Sequence, residues 1–207
     1  PLHPPLDLQA LEQVERLIAG GATLIQIREK HASSRDFYEA AAKALEIARK
    51  NSVKIIINDR VDIALALKAD GVHLGQDDLP CRHARQILGE TAIIGVSTHS
   101  FEQAFAALLL PINYIAIGPI FSTTTKENAD PAVGLEGLSQ ICGLIADLPP
   151  VAIGGINASN LKSVLNAGAD SAAIIGDLIC NAEQITEKMK TLLLLSGELN
   201  NKHVVRG

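Results

Sequence analysis

Seven short runs of β-branched and aliphatic residues, each followed by a stretch with helical spacing, restrict this chain to a small set of folds. The runs fall at residues 23–27, 53–57, 71–74, 93–96, 114–117, 151–153 and 172–175. Helical patterns fall at 7–19, 35–50, 61–67, 81–88, 101–110, 135–147, 160–167 and 183–195. Several runs are apolar at every position, as expected of strands covered by helices on one face and by a core on the other. Ser34 and Ser159 stand where N-caps of the second and seventh helices belong. Gly20-Gly21 and Asn166-Ala167-Gly168 stand where the first and seventh helices should stop. The alternation predicts an α/β fold, and its order is that of a (β/α)8 TIM barrel with the first strand not evident in this chain. An open doubly wound sheet is the alternative. No low-complexity linker divides the sequence, so residues 1–195 read as one barrel domain and the polar stretch 196–207 as a frayed tail.

Composition narrows the function classes. With 207 residues and 47% hydrophobic content the chain can bury a sizeable core, which argues against disorder. Aromatic residues make up 3% and Trp is absent, so the core must be Ala, Ile, Leu and Val. Stacking platforms for nucleic-acid bases are scarce for the same reason. A net charge of -5 argues against a general polyanion binder, but leaves room for a focused phosphate site. Cys81, Cys142 and Cys180 lack metal-motif spacing and read as reduced packing residues of a cytoplasmic protein. No apolar run reaches the roughly 18 residues a membrane span requires, and Pro-Leu-His-Pro-Pro does not open like a signal peptide. No nucleic-acid or membrane partner is expected, and the sequence leaves self-association into a homo-oligomer open.

Polar residues gather at the C-terminal ends of the runs, where a parallel barrel builds its active site. Gln26, Arg28 and Lys30 have period two, which puts all three on one face of a strand. Two cations and an amide on one face suit an anion with several oxygens, such as a diphosphate; a solvated strand end is the plainer account. Asp59 and Asp78 close neighbouring strands, and carboxylates beside such cations usually hold Mg²⁺. Helix capping would explain them as well. Gly154-Gly155 and Gly176 follow the last two runs, where backbone N–H groups of such folds receive phosphate. His73 reads as a satisfied core histidine, His99 is unassigned, and His31 and His83 read as surface groups. No Ser–His or Cys–His spacing suggests a nucleophile with its base.

Several ordered motifs together resemble the thiamine phosphate synthase family. They are Gln26-Ile27-Arg28-Glu29-Lys30, Ile57-Asn58-Asp59-Arg60-Val61-Asp62, the stretch from Asp70 to Asp78, Gly95-Val96-Ser97-Thr98-His99, Gly118-Pro119-Ile120-Phe121 followed by Thr123 to Lys126, Gly134-Leu135, and Ala152-Ile153-Gly154-Gly155-Ile156. The resemblance runs from about Gly20 to Ile179. It implies a transferase of thiamine biosynthesis that joins a pyrimidine diphosphate to a thiazole phosphate and releases diphosphate. Gln26, Arg28, Lys30, Asn58, Ser97 and Lys126 would hold the pyrimidine diphosphate, with Arg28, Lys30, Ser97 and Lys126 as the catalytic members. Asp59 and Asp78 would bind Mg²⁺. Thr123, Gly155 and the Ile175-Gly176 backbone would hold the thiazole phosphate, and Thr125 joins the substrate-binding set. Family members commonly carry Ser where Gly176 stands, and the usual first strand is not evident here. Two rivals share the fold: a thiazole tautomerase, which would need an acid/base residue near the thiazole, and a phosphate-ligand sensor that never turns over.

Overall fold

The computed structural model describes residues 6–123, 130–145, 148–179 and 181–203. The seven runs form β1 (Leu24–Ile27), β2 (Lys54–Asn58), β3 (Gly71–Leu74), β4 (Ile93–Thr98), β5 (Tyr114–Ile117), β6 (Pro150–Ile153) and β7 (Ser171–Ala173). They make one parallel sheet whose spatial order is the chain order, β1 to β7. A doubly wound sheet reverses its order at a switch point; this one never does, so that alternative is excluded. The seven strands form a curled parallel half-barrel in which, as expected from the sequence, the first strand of an eight-stranded barrel is not evident among the described residues; a closed barrel is not formed. The described residues ahead of β1 form a helix, so they supply no strand between β7 and β1. Leu24 on β1 is accordingly 48% exposed although it is apolar.

The connections are α1 (Leu6–Ala19), α2 (Ser34–Lys50), α3 (Val61–Leu67), α4 (Cys81–Leu88), α5 (Phe101–Ala107), α6 (Gly134–Leu144), α7 (Leu161–Asn166), the short α8 (Gly176–Ile179), a 3-10 turn (Ala182–Gln184) and α9 (Ile185–His203). Helix α9 takes in residues 196–203 of the polar stretch. The caps differ from expectation by one position each. Ser33, not Ser34, is extended and accepts the Asp36 N–H, while Ser34 is already helical. Ser159 instead donates to Asn157 Oδ1, and Asn160 precedes α7. Helices α1 and α9 meet: Thr186 donates to the Arg16 carbonyl at 3.0 Å, and Gly20 lies against Met189. Among the described residues no helix is long and apolar enough to cross a membrane.

Side chains alternate across the sheet. Ile55, Ile57, Val72, Leu74, Ile94, Val96, Ile115 and Ile117 point to the helical layer and form its buried core. Cys81 is buried there as a free thiol, and Cys142 is a partly buried one, as expected of packing residues. The opposite face carries the polar set considered below.

At the N-terminal end of the strands the fold is tied by one buried cation. Arg85 on α4 donates to the carbonyls of Gly89, Glu90, Ala92 and Pro111 and to Asn113 Oδ1. Asn113 Oδ1 in turn accepts the Ile94 N–H. One guanidinium thus fixes the approaches to both β4 and β5. Truncation would strand several buried acceptors at once. Arg85→Ala is therefore expected to lower the unfolding free energy by on the order of 3 kcal/mol. The check is the denaturant midpoint, which should fall while the slope stays constant.

Candidate active site

Register places the polar set. Gln26 pairs with Ile56 and Ile56 with Gly71, so these share the inner face of the sheet. One level further along the strands, Asn58 pairs with His73, His73 with Gly95, and Gly95 with Tyr114. Ser97 lies two residues beyond Gly95 and so returns to this face. The expected single strand face holds only for Gln26, because β1 ends at Ile27 and Arg28 and Lys30 follow it in the connection to α2; all three are exposed, whereas Asn58 is buried.

The β2 and β3 ends bring two carboxylates together. Asp59 adopts φ +60, which turns the chain out of β2 and into α3. Its N–H donates to the His73 carbonyl at 2.8 Å, and its carboxylate pairs with the Lys30 ammonium. Asp78 accepts the Gly75 N–H at 2.6 Å and stands near enough to Asp59 for the two carboxyls to interact electrostatically. Burial raises the Asp78 pKa above the usual carboxylate range. The neighbouring Asp59 adds to that rise, while the Gly75 N–H and the Lys30 charge oppose it. The capping account fails for both residues. Arg60 precedes α3 and Pro80 precedes α4, and neither position makes a side-chain cap bond. Two oxygen-donor side chains, one cation and a buried amide thus converge at one end of the half-barrel.

Next to them lies a partly buried hydrogen-bonded row centred on the buried His73. His73 Nδ1 is 2.7 Å from the Tyr114 hydroxyl, and Nε2 is 2.8 Å from Ser97 Oγ. The two rings stack with centroids 5.5 Å apart. Burial pushes the His73 imidazole down to about 4, against an opposing pull from the Asp59 charge. Burial also lifts the Tyr114 phenol above its usual range. Gln76 Nε2 donates to the Ser97 carbonyl at 2.6 Å, holding the β3 loop against the end of β4. His99 lies with Nδ1 2.5 Å from the Gly118 carbonyl and Nε2 3.5 Å from Asp130. His31 and His83 are exposed, as expected of surface groups.

The other half of the site lies at β5, β6 and β7. Gly154 and Gly155 adopt φ +90 and +68, values open to glycine at little cost. A Cβ on Gly154 would stand 2.5 Å from Pro119 Cβ, and one on Gly155 2.7 Å from Phe121 Cβ. These glycines let the β6 end pack directly on the β5 loop, where Phe121 N–H donates to the Gly154 carbonyl. Ile175 and Gly176 stand at the following strand end, where Gly176 opens α8. Lys188 Nζ holds α8 through the Asp177 carbonyl at 2.6 Å. Thr123 is partly buried on the β5 loop; Thr125 and Lys126 lie outside the described residues.

Sequence reasoning placed Gln26, Arg28, Lys30, Asn58, Asp59, Asp78 and Ser97 at one end of the sheet, and there they stand. It did not connect His73 and Tyr114 to Ser97. The available signal was Gly95, a glycine inside an apolar strand, which marks close approach by another group.

The family model described as thiamine monophosphate synthase matches residues 3–178. The thiamine-phosphate synthase of Clostridium novyi (strain NT) is 47% identical over 181 residues, covering 87% of this chain and 88% of that one. That of Chloroflexus aurantiacus is 44% identical over 182 residues, covering 88% and 83%. Among solved structures, the thiamine phosphate pyrophosphorylase from Pyrococcus furiosus superposes with a TM-score of 0.83 at 36% identity, covering 91% of this chain and 89% of that one.

The His73 environment has a measurable consequence. The unfolded imidazole titrates near its ordinary value of about 6.5, whereas the folded one stays neutral down to about 4. Between these values the unfolded state holds the extra proton, so stability must fall as pH falls. Unfolding free energy measured from pH 7 to 4 should therefore drop more in the native chain than in His73→Gln. The difference is on the order of 3 kcal/mol across the window.

Proposed function

The chain belongs to the thiamine monophosphate synthase family, and from that premise we propose how its own residues carry out the condensation. It is a transferase of thiamine biosynthesis that makes thiamine phosphate. The substrates are 4-amino-2-methyl-5-hydroxymethylpyrimidine diphosphate and hydroxyethylthiazole phosphate. The observation that carries the mechanistic reading is the convergence of Lys30, Asp59 and Asp78 beside Asn58 and Ser97 at the C-terminal strand ends.

Arg28, Lys30, Ser97 and Lys126 grip the diphosphate, with Gln26 and Asn58 beside them, and Thr125 belongs to the substrate-binding set. The bond from the exocyclic carbon to the diphosphate oxygen breaks first, and its electron pair leaves with the diphosphate. The aminopyrimidine stabilises the resulting cation. The thiazole nitrogen then donates its lone pair to form the new C–N bond. No proton is removed in that step, so the Ser97–His73 pair, which the sequence spacing did not reveal, is not called on as a nucleophile and its base. The cations stabilise charge that develops only as the leaving group departs. Alignment of the two substrates supplies much of the remaining acceleration. Thr123, Gly155 and the Ile175-Gly176 backbone hold the thiazole phosphate on the opposite side.

The donor set fits Mg²⁺: two hard carboxylate oxygens from adjacent strand ends, beside cations that would share the phosphates. Among the described residues no cluster of three or more potential metal-ligating side chains occurs, so water and phosphate oxygens would complete the shell. Asp59 and Asp78 would hold the ion, and its charge would offset that of the departing diphosphate. A tautomerase would need an acid/base group near the thiazole and would neither depend on Mg²⁺ nor release diphosphate. The reaction is tested by supplying both substrates with and without Mg²⁺ and following diphosphate release. Binding of thiamine phosphate without turnover would make the chain a sensor instead.

Two substitutions separate the roles. Asp59→Asn keeps a side chain that tolerates the left-handed backbone at this position. It should cut kcat/KM by roughly 10²-fold or more with the fold retained, and raise the Mg²⁺ concentration needed for half-maximal rate. Gly176 starts α8 at the close of the last strand. Gly176→Ser adds a hydroxyl worth about 1.5–3 kcal/mol at best toward a charged acceptor. Calorimetry should show tighter thiazole phosphate binding with the pyrimidine diphosphate affinity unchanged.

A further inference from the structure

Ser97 cannot bind a diphosphate merely by being near it. A polyanion presents only acceptors, so the hydroxyl must keep its proton free to donate. Its neighbour decides whether it does. His73 Nε2 stands 2.8 Å from Ser97 Oγ, and a neutral imidazole has one donor nitrogen and one acceptor nitrogen. If Nε2 accepts, the serine proton is spent on the histidine and only lone pairs face the anion. If Nε2–H donates, the serine proton is released toward the site.

The far end of the row settles the choice. Tyr114 Oη stands 2.7 Å from His73 Nδ1 and has no other hydrogen-bond partner among the described residues. Among the described residues Nδ1 is the one acceptor within reach of the phenol O–H, and an Nδ1 that accepts it carries no proton. The ring proton is thereby placed on Nε2, facing Ser97. The backbone is shaped for this reach. Tyr114 is on β5 and His73 on β3, both level with Gly95 on β4 between them. Two strand spacings amount to about 10 Å, and the tyrosine crosses them over the bare Cα of Gly95. A Cβ on Gly95 would stand 2.0 Å from Tyr114 Cζ.

We propose that Tyr114 and His73 are positioning residues that set the direction of a hydrogen-bond chain, Tyr114 O–H to His73 Nδ1, His73 Nε2–H to Ser97 Oγ, and Ser97 O–H to an oxygen of the leaving diphosphate. Neither residue touches substrate; both act through the serine. This inference rests on the reading that Ser97 contacts the diphosphate.

The test is a double-mutant cycle on turnover and on calorimetric binding of the pyrimidine diphosphate with Mg²⁺ and without the thiazole. Ser97→Ala and Tyr114→Phe are made singly and together. Tyr114→Phe keeps the ring and its stacking, and should lower kcat/KM about tenfold, the loss of one oriented hydrogen bond. In the Ser97→Ala background the same change should have no further effect. Equal losses in both backgrounds would reduce Tyr114 to a packing residue and overturn the relay. No loss on Ser97→Ala alone would overturn the underlying reading of Ser97, and the relay's purpose with it. A measurement on the native protein guards against variants that fold poorly. Imidazole ¹⁵N chemical shifts should report the Nε2–H tautomer for His73, and the Nδ1–H tautomer would refute the chain's direction.

Discussion

Paired parallel strands carry their side chains in levels, and every residue on one level shares a face with its partners. The molecule depends on this rule more than on any single contact. It sends Ile55, Ile57, Val72, Leu74, Ile94, Val96, Ile115 and Ile117 to the helices, where they are buried. The same rule leaves the alternate positions for Gln26, Asn58, His73, Gly95, Tyr114 and Ser97. A slip of one residue in any pairing would bury the polar set and expose the core. Stability and chemistry are thus specified by the same alternation read on opposite faces.

The electrostatics of the site follow from crowding opposite charges at strand ends. Burial is the main cause of the raised Asp78 pKa, and the neighbouring Asp59 carboxyl adds to the rise. The Lys30 ammonium and the Gly75 N–H offset part of the cost. A net charge of -5 is no bar to the phosphorylated substrates proposed above, because local placement outweighs the total.

Much of this was legible from residue order. The strands, the parallel sheet and the gathering of functional groups at their C-terminal ends follow from alternation and from polar residues at the close of each run. Asp59 and Asp78 stood out by type and position, although only the backbone shows that Arg60 and Pro80 occupy the capping positions. Other features were hidden for physical reasons. Asp59 enters the left-handed region, which no propensity of Asp alone demands. Ser33 displaced Ser34 as a cap because neighbouring serines are chemically equivalent and only local geometry chooses between them. The row from Tyr114 to Ser97 joins three strands far apart in sequence, and needs registers that composition does not fix. The seven strands are legible in the runs themselves, but whether the sheet closes depends on pairing at its edges, where no local pattern speaks.

Arg85 works at the opposite end of the sheet from the chemistry, and its donor geometry bears on how sequences like this one can drift. Its planar fork serves four carbonyls and an amide oxygen along two separate chain segments. A lysine has three donors on a single nitrogen and cannot span those directions. The exchange of arginine for lysine, usually among the most freely accepted, is therefore closed at this position. Divergence must proceed through the loops it anchors, which can change side chains freely because the tether holds their backbones. One buried cation thus channels variation away from itself and into the segments that lead to β4 and β5.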